Sequence, residues 1–484
     1  MKLQRQVTGR AEWAAAWLTN DAVSGPCLGG LQQNPRAERR ARPLTLADLS
    51  NQSIDQVRAR HSPRCESTPW VRLPAQPKAT KGWLSGMANM STPPIELSES
   101  QSNSYRIPSH SASNSNSEEP TENSDRYLYL SSLDGLRLIA FLCVFVHHLP
   151  PTSAVPGFGV LHTHGWVGVE LFFVISAFLF FHLFDAEMRK TKTLNISMFY
   201  VRRFLRIYPL MVAFPIAMIV ITSSYTKGAL LRLSGLIAGA DNILTALLGY
   251  SGIPFSAQLW TLSFEFQIYA IIPFFFLAYW RFGLNRFVYL VAAIWLSGTI
   301  LRLAVLPFIS NHLVHWVIPV LRPDSILVGL LLSVVQSKFY LPHAVVVGSV
   351  SSVAFFALPS IEEWRVSAAL DYPIAALMCG SLVILGLRWS RLNNLLSLPF
   401  MRFAGSISFG LYVFHFIGIY MATKILSPIG HFEPQTDAAD YALLALSAFA
   451  FTFCISVVSY FLFERQFLRM KDKFTIVQGR KPVN

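Results

Sequence analysis

From about residue 133 the sequence consists of long apolar runs parted by short polar stretches rich in Lys and Arg. A helix rises ~1.5 Å per residue, so about twenty apolar residues match the ~30 Å hydrocarbon core of a bilayer. Backbone groups in lipid must be satisfied within their own segment, so each run is predicted to be a helix. The runs predict about ten spans, over 133–150, 165–184, 205–225, 260–280, 286–308, 319–336, 341–359, 367–387, 403–425 and 441–463. The run ILTALLGY at 243–250 is too short to cross and is predicted to be re-entrant or interfacial. The fold class expected is all-α: a polytopic transmembrane helical bundle of about ten spans.

The pattern changes before residue 126. Residues 1–125 are rich in Ser, Pro, Asn, Gln and Arg, and SHSASNSNSEEPTENSD is of low complexity. Such a segment cannot bury a core and is expected to be disordered. It holds no signal-peptide apolar region. Three parts are expected: a disordered, basic, Ser/Pro-rich N-terminal segment (1–125), a transmembrane domain (126–468) and a basic cytoplasmic tail (469–484). The part before Met87 is Arg-rich without periodicity, so translation from Met87 or Met90 is an alternative expectation.

Composition excludes an ordinary soluble protein. Hydrophobic residues make up 52% of the 484 and charged ones only 14%. The net charge of +13 comes mostly from the N-terminal segment and the loops, which suits anionic headgroups better than nucleic acid. Cys143, Cys379 and Cys454 lie in apolar runs and Cys27 and Cys65 in the polar segment, with no metal-binding or disulfide spacing.

Loop charges predict orientation. Arg189, Lys190, Lys192, Arg202, Arg203 and Arg206 follow the second run. Arg281, Arg286, Lys338, Arg388, Arg391 and Arg402 fall on the same side, as do Arg465, Arg469, Lys471 and Lys473. The opposite side has Lys227, Arg232 and Arg365, and its loop 426–440 is acidic. Both termini are therefore expected in the cytoplasm, in an inner or plasma membrane.

Ionisable residues inside the runs are the candidate chemistry, because they are costly in lipid. Arg137 and His148 stand eleven steps apart in LDGLRLIAFLCVFVHH. At ~100° per residue they fall within about 20° of one helical face, ~16 Å apart along the axis. Each has a plain alternative: Arg137 as a topological anchor paired with Asp134, and His148 as an interfacial histidine before Pro150 and Pro151. Glu170 near the start of the second run reads as a partnered carboxylate or as a salt bridge between helices. Arg203 and Arg206 share a face and suit phosphate groups, or form an ordinary basic cluster. Glu265, one turn before Tyr269, is a candidate partner for His148 as a general base. Arg322 and Asp324 are expected to pair with each other, and His415 interrupts a later run. His162 and His164 lack a nearby carboxylate, so no metal site is expected. No Walker, GxSxG or HExxH motif stands where it would carry chemistry.

These segments resemble the acyltransferase-3 family, membrane-bound O-acyltransferases acting on surface carbohydrates. LDGLRLIAFLCVFVHH is similar to the family's first-helix signature, with Arg137 and His148 at its Arg-x10-His spacing. GWVGVELFFVISAF, FYVRRFLRIYP, WTLSFEFQIY, LRPDSILVG, GSISFGLYVFHF and SYFLFERQF resemble further family motifs in the same order, covering about 130–468. The chain departs from the family pattern at Ala177 (usually Gly), Glu170 (more often Asp) and Gln466 (usually Pro). No hydrolase-like C-terminal domain is expected after the last span.

The resemblance implies an O-acyltransferase, of the class that transfers groups other than amino-acyl groups. Acyl-coenzyme A, acetyl-coenzyme A first, would be the donor substrate, with no tightly bound cofactor. Its phosphates would lie near Arg137, Arg203 and Arg206. His148 would deprotonate the acceptor hydroxyl or assist acyl relay, with Glu265 as candidate partner, and the acceptor would be a carbohydrate or lipid-linked glycan at the outer face. Expected partners are thus membrane lipids, donor and acceptor, and no nucleic acid; the sequence is silent on oligomeric state. The rival reading is a transporter of a polar solute using the same Arg, His and Glu residues, although no pair of related halves is visible.

Overall fold

The computed structural model describes residues 130–308, 312–335, 340–359, 367–428 and 431–474. The expectations for residues 1–125, including the alternative start, lie outside them. Every regular element among the described residues is helical.

Helix α1 runs Ser131–His148 and ends where Pro150 forces Leu149 into an extended conformation (φ −64°, ψ 153°). A short α2 (Phe158–His164) leads into α3 (Val167–Thr191). Helix α4 (Ile196–Ile221) begins nine residues before the expected span. Its cap is Asn195, whose side chain accepts from the Met198 N–H at 3.0 Å. The basic residues Arg202, Arg203 and Arg206 are therefore helical rather than part of a loop.

Two short helices follow, α5 (Lys227–Ile237) and α6 (Asp241–Leu248), the latter covering the run expected to be re-entrant. At ~12 Å, α6 cannot span a membrane. Asn242 Nδ2 donates to the Val317 carbonyl at 3.0 Å and to Gln267 Oε1 at 3.1 Å, tying α6 to the helix that follows.

Helix α7 (Trp260–Val305) takes up the two expected spans 260–280 and 286–308 in 46 residues. The break is Gly283, at φ 76° and ψ 173°, a backbone state that only glycine adopts readily. Further on lie α8 (His312–Val317), α9 (Asp324–Val335), α10 (Leu341–Ala357), α11 (Ser367–Arg388), α12 (Ser390–Leu396), α13 (Pro399–Ser406), α14 (Ser408–Leu426) and α15 (Ala438–Ser459). A π-turn over Tyr460–Glu464 joins α15 to α16 (Arg465–Asp472), so part of the expected tail is helical.

Seven helical stretches among the described residues are long and apolar enough to cross a membrane. The expected spans 319–336 and 341–359 correspond to shorter apolar helices of 12 and 17 residues. The protein is a multi-pass membrane protein.

The main core gathers around α3, whose Phe173, Phe178, Phe180, Phe181 and Phe184 are all buried. A second cluster joins α1 to α13, α14 and α15 through Phe141, Phe145, Leu411 and Leu444. Close approach fixes α1: a Cβ on Gly405 of α13 would fall on the Asp134 backbone carbonyl. The contact lies one helical turn before Arg137.

Buried ion pairs tie the helices together. Arg322 pairs with Glu170 on α3, and Arg302 on α7 pairs with Asp324 on α9 at 2.8 Å. Trp295 Nε1 also donates to Asp324, at 2.7 Å. This corrects the expected Arg322–Asp324 pair. Two residues apart at the start of a helix, they diverge to different neighbours, and both guanidiniums stack on Tyr372, at 4.8 and 5.1 Å. Glu170 is thus the interhelical salt bridge that was one of its two sequence readings.

Candidate active site

Helices α1, α3, α4, α7, α14 and α16 enclose a cavity of about 290 Å³. In its lining, Arg137, Arg202, Arg203, Arg206 and Lys471 are cationic, with Asp134, Glu187 and Asp472 as acidic neighbours. Phe172, Phe173, Phe180, Phe184, Phe199 and Phe409 supply an aromatic wall. Thr261, Glu265, Tyr269, Ser408 and Tyr412 add polar groups from α7 and α14.

The cations differ in how they are held. Arg137 donates to Asp134 Oδ1 at 2.6 Å, which orients it one turn along α1. Arg202 lies 3.5 Å from Glu187 and donates to the Phe474 carbonyl at 2.8 Å. Arg203 lies over the Phe180 ring at 4.2 Å. It pairs with no carboxylate among the described residues, and its buried Nε has no hydrogen-bond partner among them. A guanidinium held in this way beside other cations has N–H groups that an anion can satisfy.

Glu265 is half-buried on the cavity wall and accepts from the Tyr269 hydroxyl at 2.6 Å. At the Thr261 end, the Tyr412 hydroxyl lies 2.8 Å from Thr261 Oγ1 and 3.2 Å from the Gln258 carbonyl. These bonds tie the start of α7 to α14.

His148 does not line the cavity. It is half-buried at the end of α1, with Nδ1 2.9 Å from the Val144 carbonyl and 3.2 Å from His415 Nε2. His415 is fully buried, and its Nδ1 lies 2.7 Å from the Tyr412 carbonyl. Tyr412 therefore touches both the cavity and the histidine pair. His147 turns elsewhere, with Nδ1 2.7 Å from the His162 carbonyl.

The structure thus brings Arg137, Arg203, Arg206 and Glu265 into one cavity and leaves His148 outside its lining, joined to Tyr412 through His415. No hydrogen bond joins His148 to Glu265. Among the described residues, no group of three or more His, Cys, Asp or Glu is arranged to hold a metal ion. His162 Nε2 and His164 Nδ1 each lie 3.0 Å from a backbone carbonyl.

The sequence reading did not single out Tyr412, Thr261 or Arg302. Arg302 had a usable signal, an arginine inside the fifth apolar run. Tyr412 and Thr261 had none, because a hydroxyl near the end of a span is commonplace.

A family model described as an acyltransferase domain matches residues 130–461. The chain is similar to the peptidoglycan O-acetyltransferase OatA of Listeria monocytogenes, with 24% identity over 389 residues, 73% of this chain and 60% of that protein. It is 26% identical over 321 residues to a Staphylococcus aureus protein named "Putative O-acetyltransferase", covering 60% of this chain and 50% of that protein. The O-acetyltransferase OatA of Staphylococcus aureus shares 35% identity over 81 residues, 17% of this chain and 12% of that protein. In the two longer matches, the chain spans 50–60% of the relative's length. No solved structure matches it.

Proposed function

Because the chain belongs to the acyltransferase-3 family, we propose that it is a membrane-bound O-acyltransferase. It moves an acyl group, acetyl first, from cytoplasmic acyl-coenzyme A to a hydroxyl of a carbohydrate or lipid-linked glycan at the outer face. The observation that carries this reading is the cavity, where Arg137, Arg203 and Arg206 meet an aromatic wall and Arg203 has no carboxylate partner among the described residues.

The donor's phosphates sit among the arginines, each guanidinium offering planar N–H pairs to phosphate oxygens. A cavity of about 290 Å³ suits the thin pantetheine arm and acyl group, with the nucleotide outside on the cytoplasmic side. Loop arginines support this orientation, with both termini in the cytoplasm. Glu265 serves the donor within the cavity, accepting from an amide N–H of the arm beside Tyr269.

His148 is the base. It takes the proton of the acceptor hydroxyl as the oxygen attacks the thioester carbonyl carbon. The C–O ester bond forms, the C–S bond breaks, and the proton passes to the leaving thiolate to give the free thiol. The name of the Listeria relative makes peptidoglycan the first acceptor to test.

Acetyl-coenzyme A binding to the purified protein tests the donor site. Arg203→Ala is expected to weaken it by about tenfold or more, from the loss of a charge-assisted contact. Equal affinity in wild type and variant would contradict the placement.

A further inference from the structure

His415 is fully buried in a membrane helix, and the steps above do not use it. Its surroundings fix its proton. A carbonyl oxygen only accepts, so the contact of 2.7 Å between His415 Nδ1 and the Tyr412 carbonyl puts the hydrogen on Nδ1. The neutral ring then presents a lone pair at Nε2. By the same logic the 2.9 Å contact to the Val144 carbonyl puts a hydrogen on His148 Nδ1. That hydrogen faces His415 Nε2 at 3.2 Å and is shared between two acceptors. The basic lone pair of neutral His148 is therefore on Nε2, away from both.

Packing holds the pair in this arrangement. Phe416 contacts both rings, with centroids at 4.7 Å from His148 and 4.4 Å from His415. Phe141 meets His415 edge-on at 6.4 Å. The residue that fixes His415, Tyr412, also lines the cavity and bonds to Thr261 there.

We propose that His415 is a positioning residue for acyl transfer, a neutral hydrogen-bond acceptor that fixes the tautomer and orientation of His148. The proposal rests on His148 being the base. As His148 Nε2 gains the acceptor's proton, the ring becomes cationic and its Nδ1–H bond to His415 strengthens. His415 neither gains nor loses a proton. The role parallels that of the third group in a nucleophile–base–orienter arrangement, with imidazole in place of a carboxylate.

The test uses the full chain in proteoliposomes with acetyl-coenzyme A and a saccharide acceptor. His415→Phe keeps a ring but removes the acceptor atom, whereas His415→Gln places an amide oxygen near the lost Nε2. His415→Asn reaches Tyr412 but not His148. Expected are a kcat reduced about a hundredfold in the Phe and Asn variants, a donor KM within about twofold of wild type, and recovery of about tenfold in the Gln variant. A buried residue that only fills space gives a different result, with Phe at least as active as Gln, and that result overturns the proposal. Should the Phe protein fail to accumulate, the Gln and Asn variants decide: equal activities overturn the role. His148→Ala run in parallel separates the two claims. If it retains full activity, the base assignment fails. If it is inactive while all three His415 variants match wild type, only the positioning role fails.

Discussion

The Tyr412 hydroxyl and Thr261 Oγ1 lie 2.8 Å apart on the cavity lining and join α14 to the start of α7. On the far side of Tyr412 is His415, and beyond it His148. The cavity lining and His148 are thus linked through Tyr412 and His415.

The Tyr412–Thr261 bond is expected to limit water at a bound thioester, so breaking it should uncouple the reaction. Tyr412→Phe removes the bond while Thr261 keeps its hydrogen bond to the Gln258 carbonyl at 3.0 Å. The expected outcome is a several-fold rise in acyl-coenzyme A hydrolysis relative to transfer, read as labelled acetate released without acceptor. An unchanged ratio would show that Tyr412 is no barrier.

The arginines should act on donor binding. Arg137→Ala is expected to raise the donor KM by about tenfold to a hundredfold, matching the ~1.5–3 kcal/mol of a hydrogen bond to a charged group. It also removes one charged partner of the buried Asp134. The Asp134→Asn, Arg137→Ala protein should therefore recover stability but not donor affinity, as measured by melting and by donor titration.

Glu170 and Arg322 are both buried, at 0% and 2% exposure, and hold α3 against the start of α9. Arg322→Met strands a buried carboxylate and should lower stability by about 3–5 kcal/mol. Replacing both, with Glu170→Gln and Arg322→Met, should cost clearly less. Thermal unfolding in detergent distinguishes these outcomes, and equal losses would mean the pair does not act as a unit.

Gly405→Ala places a methyl group on the Asp134 carbonyl, so α1 and α13 must move apart. The expected result is lower thermal stability together with a raised donor KM, because the displaced turn carries Arg137. A stability loss with donor KM unchanged would separate this contact from the donor site.

The apolar runs located the seven long helical stretches, because lipid leaves the backbone no alternative, but not the short α2, α5, α8, α12 and α13. Helix ends were less legible. Arg202, Arg203 and Arg206 look like loop charges, yet they are helical because Asn195 caps α4 early and the cavity gives their side chains a polar face. Helices α9 and α10 are described over 12 and 17 residues, and Pro342 stands at the start of α10. Arg137 and Asp134 paired as expected because three residues on a helix fix their geometry. Arg322–Glu170 and His148–His415 join positions 152 and 267 residues apart, and nothing in one sequence encodes such distances. Thus a buried carboxylate and a titratable ring were visible as costly residues, while their partners emerged only from packing.

The most direct test of the central claim is ester formation by the full chain in proteoliposomes loaded with labelled acetyl-coenzyme A, comparing wild type with His148→Ala. Wild type should form alkali-labile acetyl ester on a saccharide acceptor, and the inserted His148→Ala protein should form essentially none while still binding donor. Full ester formation by His148→Ala would contradict the account, as would vesicles that accumulate a polar solute and make no ester with any acyl-coenzyme A.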